Sequence, residues 1–366
     1  MCHVYGVTGS HKTAITCAVM AVWGSSSPAQ PTDTWTSTAN SIQRLGWYLK
    51  DGPMVLDDYK AAHVKPSQVT FLLQNYGDGM ARGRLDAHAE ARNAFPIRAT
   101  LISSGEDQPE GEASALARIL SIPLARGDVD RTKLTHVQEQ AAHLPMVLVH
   151  YLHWLATQPP ILTTNRQRHV AQRSALLTRL DATPDQNTNP GRIASNTAAL
   201  AVAWYTFGTF LEQQGYWRSE RVRAWLGLCQ DHLSRLALAQ GTLVTEERAS
   251  LVFLQAVRSL VASGRAVVQH LEADSQEMTT AQVLIGGIDH TGTYLMTPTT
   301  YDLVCEYKRR AGQSVPWSQR ALVQMLEQEG LLASTDSDGR HKAVVRVING
   351  QRVRCWHLSV QVLGNG

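Results

Sequence analysis

The chain has 366 residues, 43% of them hydrophobic and 18% charged, with a formal net charge of +3. That is apolar material for more than one globular core, and the charge balance is too mild to make the whole surface a nucleic-acid binder. Five scattered cysteines without Cys-x-x-Cys spacing exclude a zinc-ribbon or disulfide framework, and no apolar run reaches a membrane span, so a cytoplasmic protein of two or three domains is expected, with no membrane partner.

Residues 3 to 126 alternate short apolar runs (His3 to Gly6, Met54 to Leu56, Ala99 to Ile102, Ile119 to Leu124) with helical or loop segments. This is the pattern of an α/β domain whose parallel sheet is flanked by helices. The first run leads into "VYGVTGSHKTAITCAVMAVWG", residues 4 to 24, a strand that turns through glycines into a helix. Against the phosphate-loop pattern G-x-x-x-x-G-K-[ST], Gly6, Gly9, Lys12 and Thr13 fill positions 1, 4, 7 and 8, with Ser10 beside them and His11 where a second glycine is usual. Backbone N–H groups and a helix N-terminus would cradle the phosphates of ATP, with Lys12 on the phosphates and the Thr13 hydroxyl on Mg²⁺. Glycine suits position 6 because the backbone there approaches the phosphate; a histidine is expected to be tolerated with its side chain pointing outward. The competing account is an ordinary strand, turn and helix.

The next run, "GPMVLDDYK", puts an apolar strand directly before Asp57 and Asp58. This is a Walker B arrangement: the first acid holds Mg²⁺ through water, and the second orients and deprotonates the attacking water. After it, "GDGMARGRL", 77 to 85, brings Arg82 and Arg84 among three glycines, either a loop that contacts DNA or a solvated connector.

The stretches "GVTGSHKT", "TWTSTANSIQRLGWYLKDGPMVLDDY", "GDGMARGRLDA" and "IRATLISSGEDQPEGEASALARIL" together resemble P-loop, AAA+-like ATPases of bacterial phages and integrating mobile elements, of the replication primase-helicase type. The similarity is fullest over 3 to 126 and returns over 283 to 358. It implies an ATP-driven motor of a DNA replication protein, a ring-forming homo-oligomer with helicase activity and a possible primase partner. It also implies roles. Asp58 would stand for the usual catalytic glutamate, and Ser103 or Ser104, ending "RATLIS", would sense the γ-phosphate, strand parity leaving the choice open. Arg118, between "GEASALA" and the next strand, would be an arginine finger reaching a neighbouring subunit, against the simpler role of a helix-end cation. Arg192, opening a helix in "NPGRIASNTAAL", would be a second sensor arginine.

From about 132 to 272 strand patterning disappears, and runs such as "VAWYTFGTFLEQQ" read as helices. The last stretch places two short strands around a turn, helices at about 299 to 311 and 317 to 329, and two alternating strands joined by Asn349-Gly350, the layout of a winged helix. Arg320 opens the second of these helices. Alternation within the ribbon puts Val345, Val347, Val353 and Cys355 on one face and Arg346, Arg352 and Arg354 on the other, with no acid between Arg340 and Arg354, so a DNA backbone is the expected counter-charge. The expected organisation is a P-loop ATPase core (1 to 127), a helical lid-like region (128 to 280) and a winged-helix domain (281 to 366). A different class competes with the motor: a DNA-binding regulator or assembly switch with an ATPase fold and no unwinding.

Overall fold

The computed structural model describes residues 1–24, 30–79, 95–158, 160–182, 189–246, 248–272, 282–311, 313, 315, 317–334 and 342–359. The chain divides into two compact units, Met1–Thr245 and Glu246–Gly366.

The first unit is built on a five-stranded, wholly parallel sheet of β1 (Cys2–Tyr5), β2 (Asp33–Thr34), β3 (Pro53–Tyr59), β4 (Thr100–Gly105) and β5 (Leu120–Pro123), in the spatial order β2-β3-β4-β1-β5. The apolar runs read as strands are strands, because buried parallel strands need unbroken hydrophobic sequence on both faces; the two-residue β2 has no such signature. Helices α1 (Lys12–Ala21), α2 (Ala39–Tyr48), α3 (Pro66–Asp78) and α4 (Ala113–Leu116) connect them. The core between these layers includes Trp35, Ile42, Met54, Leu56, Tyr59, Leu72, Leu73, Leu101 and Leu116, and each such side chain contributes about 1.5–3 kcal/mol.

Helices α5 (Arg131–Glu139), α6 (Leu144–Ala156), α7 (Ile161–Asp181), α8 (Pro190–Gln213) and α9 (Ser219–Glu246) follow. They belong to the same unit as the sheet: Leu176, Leu180, Ile193, Ala194, Ala198, Ala237 and Val244 share one core with the strands. Gln240 of α9 accepts from the N–H of Ser121 (2.9 Å) and donates to the carbonyl of Leu116 (3.0 Å), so a buried amide satisfies an edge strand that would otherwise expose its backbone.

The second unit joins α10 (Ala249–Ala262) to a mixed sheet of β6 (Ala266–His270), β7 (Val283–Asp289), β8 (Gly292–Met296), β9 (Leu332–Ser334), β10 (Val344–Ile348) and β11 (Gln351–Leu358), with α11 (Thr297–Arg310) and α12 (Gln319–Gln328) packed on it. Its order is β10-β11-β8-β7-β6, with β9 also on β11. The expectation of helix throughout 132–272 fails at β6, where "AVVQH" pairs in parallel with β7; the run is too short to show a period by itself, and its partner lies beyond a stretch of polar sequence. Phe253, Val257, Ile285, Leu295, Val304, Leu322 and Trp356 fill the core between sheet and helices. Among the described residues no helix is long and apolar enough to cross a membrane.

Candidate functional site

In a parallel sheet the loops after the strands gather at one end, and the site lies there. Gly6 follows β1 where a Cβ would sit 2.1 Å from the carbonyl oxygen of Leu124, so no other residue fits. Gly9 has φ +86°. His11, the N-cap of α1, has φ 65° and ψ 21°, the left-handed region, and caps the helix with no side-chain hydrogen bond. Glycine is therefore the natural residue at this position, and histidine sits there at a cost of about 1–2 kcal/mol. His11 is half-buried, with Nε2 enclosed and without a hydrogen-bond partner among the described residues.

Lys12 is only 9% exposed, and its Nζ donates to the Val7 carbonyl (3.0 Å) and to Ser10 Oγ (3.4 Å). Among the described residues it forms no ion pair. Its charge partner is indirect, the Glu106 carboxylate on Thr8 of the same loop, and a nearly buried cation without a direct ion pair gains from an anion that joins it. The N–H groups of Gly9, His11, Lys12 and Thr13 likewise find no acceptor among the described residues; these are the free donors that a helix N-terminus and its preceding turn present.

Thr13 Oγ1 donates to Asp57 (3.0 Å to Oδ2), and Ser104 Oγ donates to the same carboxylate (2.5 Å to Oδ1). The strand order explains the meeting. β4 lies between β1 and β3, so its end falls between the glycine loop and Asp57. Register decides which serine faces in. Ser103 pairs with His3 and Leu56 across the sheet, and Ser104 with Val4, one step out of phase. Ser103 accordingly takes the other face, where it donates to His3 Nδ1 (2.8 Å) and accepts from Trp35 Nε1 (2.8 Å) while His3 Nε2 donates to the Asp107 carbonyl (2.9 Å). Burial first of all pushes the His3 imidazole down to about 4, which keeps it neutral and suits this chain of bonds.

Asp58 does not join Asp57. The pairing of β3 with β4 slips between Leu56 and Tyr59, Asp58 takes φ 60°, and its exposed carboxylate pairs with Lys60 Nζ at 3.4 Å. The bulge aims consecutive acids in different directions.

Two residues not singled out in the sequence brace the loop. Glu106 accepts from Thr8 Oγ1 (2.7 Å), and that hydrogen bond, followed by Lys60, holds its carboxyl below the usual range. Arg126 Nε donates to the Thr8 carbonyl (3.1 Å). Neither has a spacing signal; both reach the loop because β4 and β5 flank β1.

Arg118 lies at the opposite end of the sheet, before β5. It makes a two-pronged pair with Asp78 (2.9 and 3.0 Å from Nη2, 3.2 Å from Nε), and its Nη1 donates to the Ser114 carbonyl. Arg192 also reaches the Ser114 carbonyl (3.4 Å), and Asn196 Nδ2 donates to the carbonyls of Ala117 and Arg118. Both arginines thus cover the carbonyl end of α4, away from Lys12.

Arg82 and Arg84 lie outside the described residues, as does Arg340. Arg320 is exposed in the first turn of α12, behind the Ser318 cap. The ribbon needs a correction. Its Asn349-Gly350 turn, φ 48° and 75°, sets Ile348 opposite Gln351, Val347 opposite Arg352, Arg346 opposite Val353 and Val345 opposite Arg354. Residues opposite one another share a face, so a two-residue turn pairs odd numbers with even ones. Arg352 and Arg354 therefore share their face with Val345 and Val347, which are 62% and 55% exposed. Arg346 stands on the other face, over the Tyr294 ring (4.6 Å to the centroid) and paired with Asp289, whose side chain is 1% exposed. No acid lies within the run, and Arg346 takes its counter-charge from outside it, from Asp289 of β7. Among the described residues the register of β11 with β8 ends at Cys355, and the ribbon end carrying Arg352 and Arg354 is paired with β10.

A family model described as a domain of unknown function, DUF927, matches residues 1–95, which include the glycine loop, Asp57 and Asp58. No curated protein matches the chain.

Proposed function

We propose that the first unit binds Mg²⁺-ATP at the Gly6–Thr13 loop as a P-loop site, and that the chain is an ATP-driven motor of a mobile-element or phage DNA replication protein. One observation carries this reading: a nearly buried Lys12 ammonium at a helix N-terminus, in no direct ion pair among the described residues, next in sequence to Thr13 of a Thr13–Asp57–Ser104 cluster of oxygens. The residues fit the group. Free N–H donors and Lys12 answer the phosphates, and the Thr13 and Asp57 oxygens are the hard donors that Mg²⁺ takes, directly or through water.

In this reading the ATP supplies the phosphoryl bond whose hydrolysis drives motion. Lys12 holds the phosphates, Thr13 and Asp57 hold the cation, and Ser104, already within reach of Asp57, orients the water. Asp58 takes the proton only after turning from Lys60. Arg118, at the end of the sheet away from the glycine loop, serves a neighbouring copy in a ring once it has left Asp78. The second unit, read as a winged helix, grips DNA through Arg352 and Arg354, with Arg320 beside them in role. A primase-type domain is the fitting partner.

The intrachain lock of Arg118 on Asp78 favours a second reading, an ATPase-fold DNA-binding switch that changes assembly without unwinding. ATP hydrolysis with and without single-stranded DNA, joined to strand displacement and particle counting by electron microscopy, separates the two. Rings with DNA-stimulated turnover and displacement support the motor; turnover without displacement supports the switch. Absence of ATP binding at high micromolar concentration, with Lys12→Ala identical to wild type, rejects both.

A further inference from the structure

We infer that Arg126 is a second phosphate-contacting cation of the glycine loop, supplied by the same chain, and that it makes the site prefer a nucleoside triphosphate to a diphosphate. The inference rests on the reading of the loop as a nucleotide site.

β5 is the neighbour of β1, and the Leu124 N–H donates to the Tyr5 carbonyl (2.8 Å), so the chain leaving β5 runs beside the start of the loop. Arg126 follows two residues later and sets Nε on the Thr8 carbonyl, 3.1 Å away, with the same nitrogen 3.8 Å from where a Cβ of Gly9 would be. Lys12 Nζ sits on the adjacent carbonyl, that of Val7. Two cations thus occupy consecutive carbonyls of one short turn, and among the described residues neither forms an ion pair. The Glu106 carboxylate, on the Thr8 hydroxyl and within the field of Lys12, offsets part of this positive charge, and the phosphate tail of a nucleotide would offset the rest. A guanidinium has five N–H donors in a planar fork; with Nε anchored, the Nη1 and Nη2 donors remain for a phosphate oxygen. Arg118 differs, since its Nε and Nη2 are on Asp78 and its Nη1 is on Ser114. The exposed side chain of Arg126 lies at the rim of the loop, where the most negative end of a polyphosphate gains most from another positive charge.

The test is calorimetric titration of Mg²⁺-ATP and Mg²⁺-ADP into wild type, Arg126→Ala and Arg126→Lys, with thermal unfolding of each. Loss of one charge-assisted hydrogen bond pair is expected to weaken ATP binding in Arg126→Ala by roughly tenfold to a hundredfold. ADP binding should change by less than about threefold, Arg126→Lys should recover part of the loss, and unfolding should not move. Equal weakening of both nucleotides, or none, would overturn the inference and leave Arg126 as a brace for Thr8. Wild-type protein that binds neither nucleotide would instead overturn the nucleotide reading itself.

Discussion

Ser104 Oγ and Asp57 Oδ1 stand 2.5 Å apart at the ends of neighbouring strands, while Ser103, one residue earlier, bonds His3 on the opposite face of the sheet. Two consecutive, fully buried serines therefore belong to different networks, one joined to Asp57 and Thr13 and one to His3 and Trp35.

That division predicts different phenotypes. Ser103→Ala leaves His3 Nδ1 and Trp35 Nε1 without their partner and should lower unfolding free energy by about 1–3 kcal/mol, with nucleotide affinity unchanged. Ser104→Ala takes one donor from Asp57, which keeps Thr13, so it should cost about 1 kcal/mol of stability and, unlike Ser103→Ala, lose turnover by about 10²-fold, the scale of removing one positioned polar group. Chemical denaturation and steady-state kinetics on the same preparations read both; a Ser103→Ala protein that is stable but inactive reverses the assignment.

The first unit should weaken in mild acid through His3. Its folded pKa of about 4 lies below the ordinary 6.5, so between those values the unfolded chain takes up a proton that the folded one refuses. Stability is then fully present above about pH 6.5 and falls as pH drops toward 4, by roughly 3 kcal/mol from this group. Denaturation midpoints across that window, in wild type and His3→Gln, check it: the variant should show a flatter slope.

Arg118 separates strut from finger. Its pairing with Asp78 is partly screened, so Arg118→Ala and Asp78→Ala should each cost about 1 kcal/mol or less through the ion pair. A finger acting in a neighbouring copy predicts more: turnover down by about 10³-fold in Arg118→Ala, intact in Asp78→Ala, and recovered when Arg118→Ala and Lys12→Ala subunits are mixed. Equal turnover in the two single variants would leave Arg118 a strut.

The ribbon makes a divided prediction too. Arg352→Gln with Arg354→Gln should flatten the slope of log DNA affinity against log salt by about two, at about 0.9 per phosphate contact, without loss of fold. Arg346→Gln should leave the salt slope alone and destabilise the second unit by about 1 kcal/mol, since Asp289 loses Arg346 but keeps its two hydrogen bonds from Thr291. Asp289 is penalised by burial, yet the Thr291 hydrogen bonds and Arg346 outweigh this and hold its carboxyl below the usual range. The stabilisation it provides is therefore present above the ordinary aspartate range and disappears as pH falls below it.

Much of this molecule was legible in one dimension. Uninterrupted apolar runs read as β1, β3, β4 and β5 because strands buried on both faces need them, and Asn349-Gly350 announced its hairpin because few residues accept two positive φ values in succession. The glycine loop, Lys12, Thr13 and Asp57 were visible as local patterns, each confined to a single turn or strand end. β2 and β6 were not, being short strands held by partners elsewhere in the chain.

What tertiary structure alone decided was every relationship that depends on strand order or register. Ser104 rather than Ser103 faces Asp57 because β4 pairs with β1 in one phase and not the other. Arg346 leaves the side of Arg352 and Arg354 because a two-residue turn pairs odd positions with even ones. Arg126 reaches Thr8 because β5 lies beside β1, a neighbour more than a hundred residues away in sequence. Alternation along a strand has a period of two, so a shift of one residue inverts the facing of every side chain, and no local pattern in the sequence carries that phase.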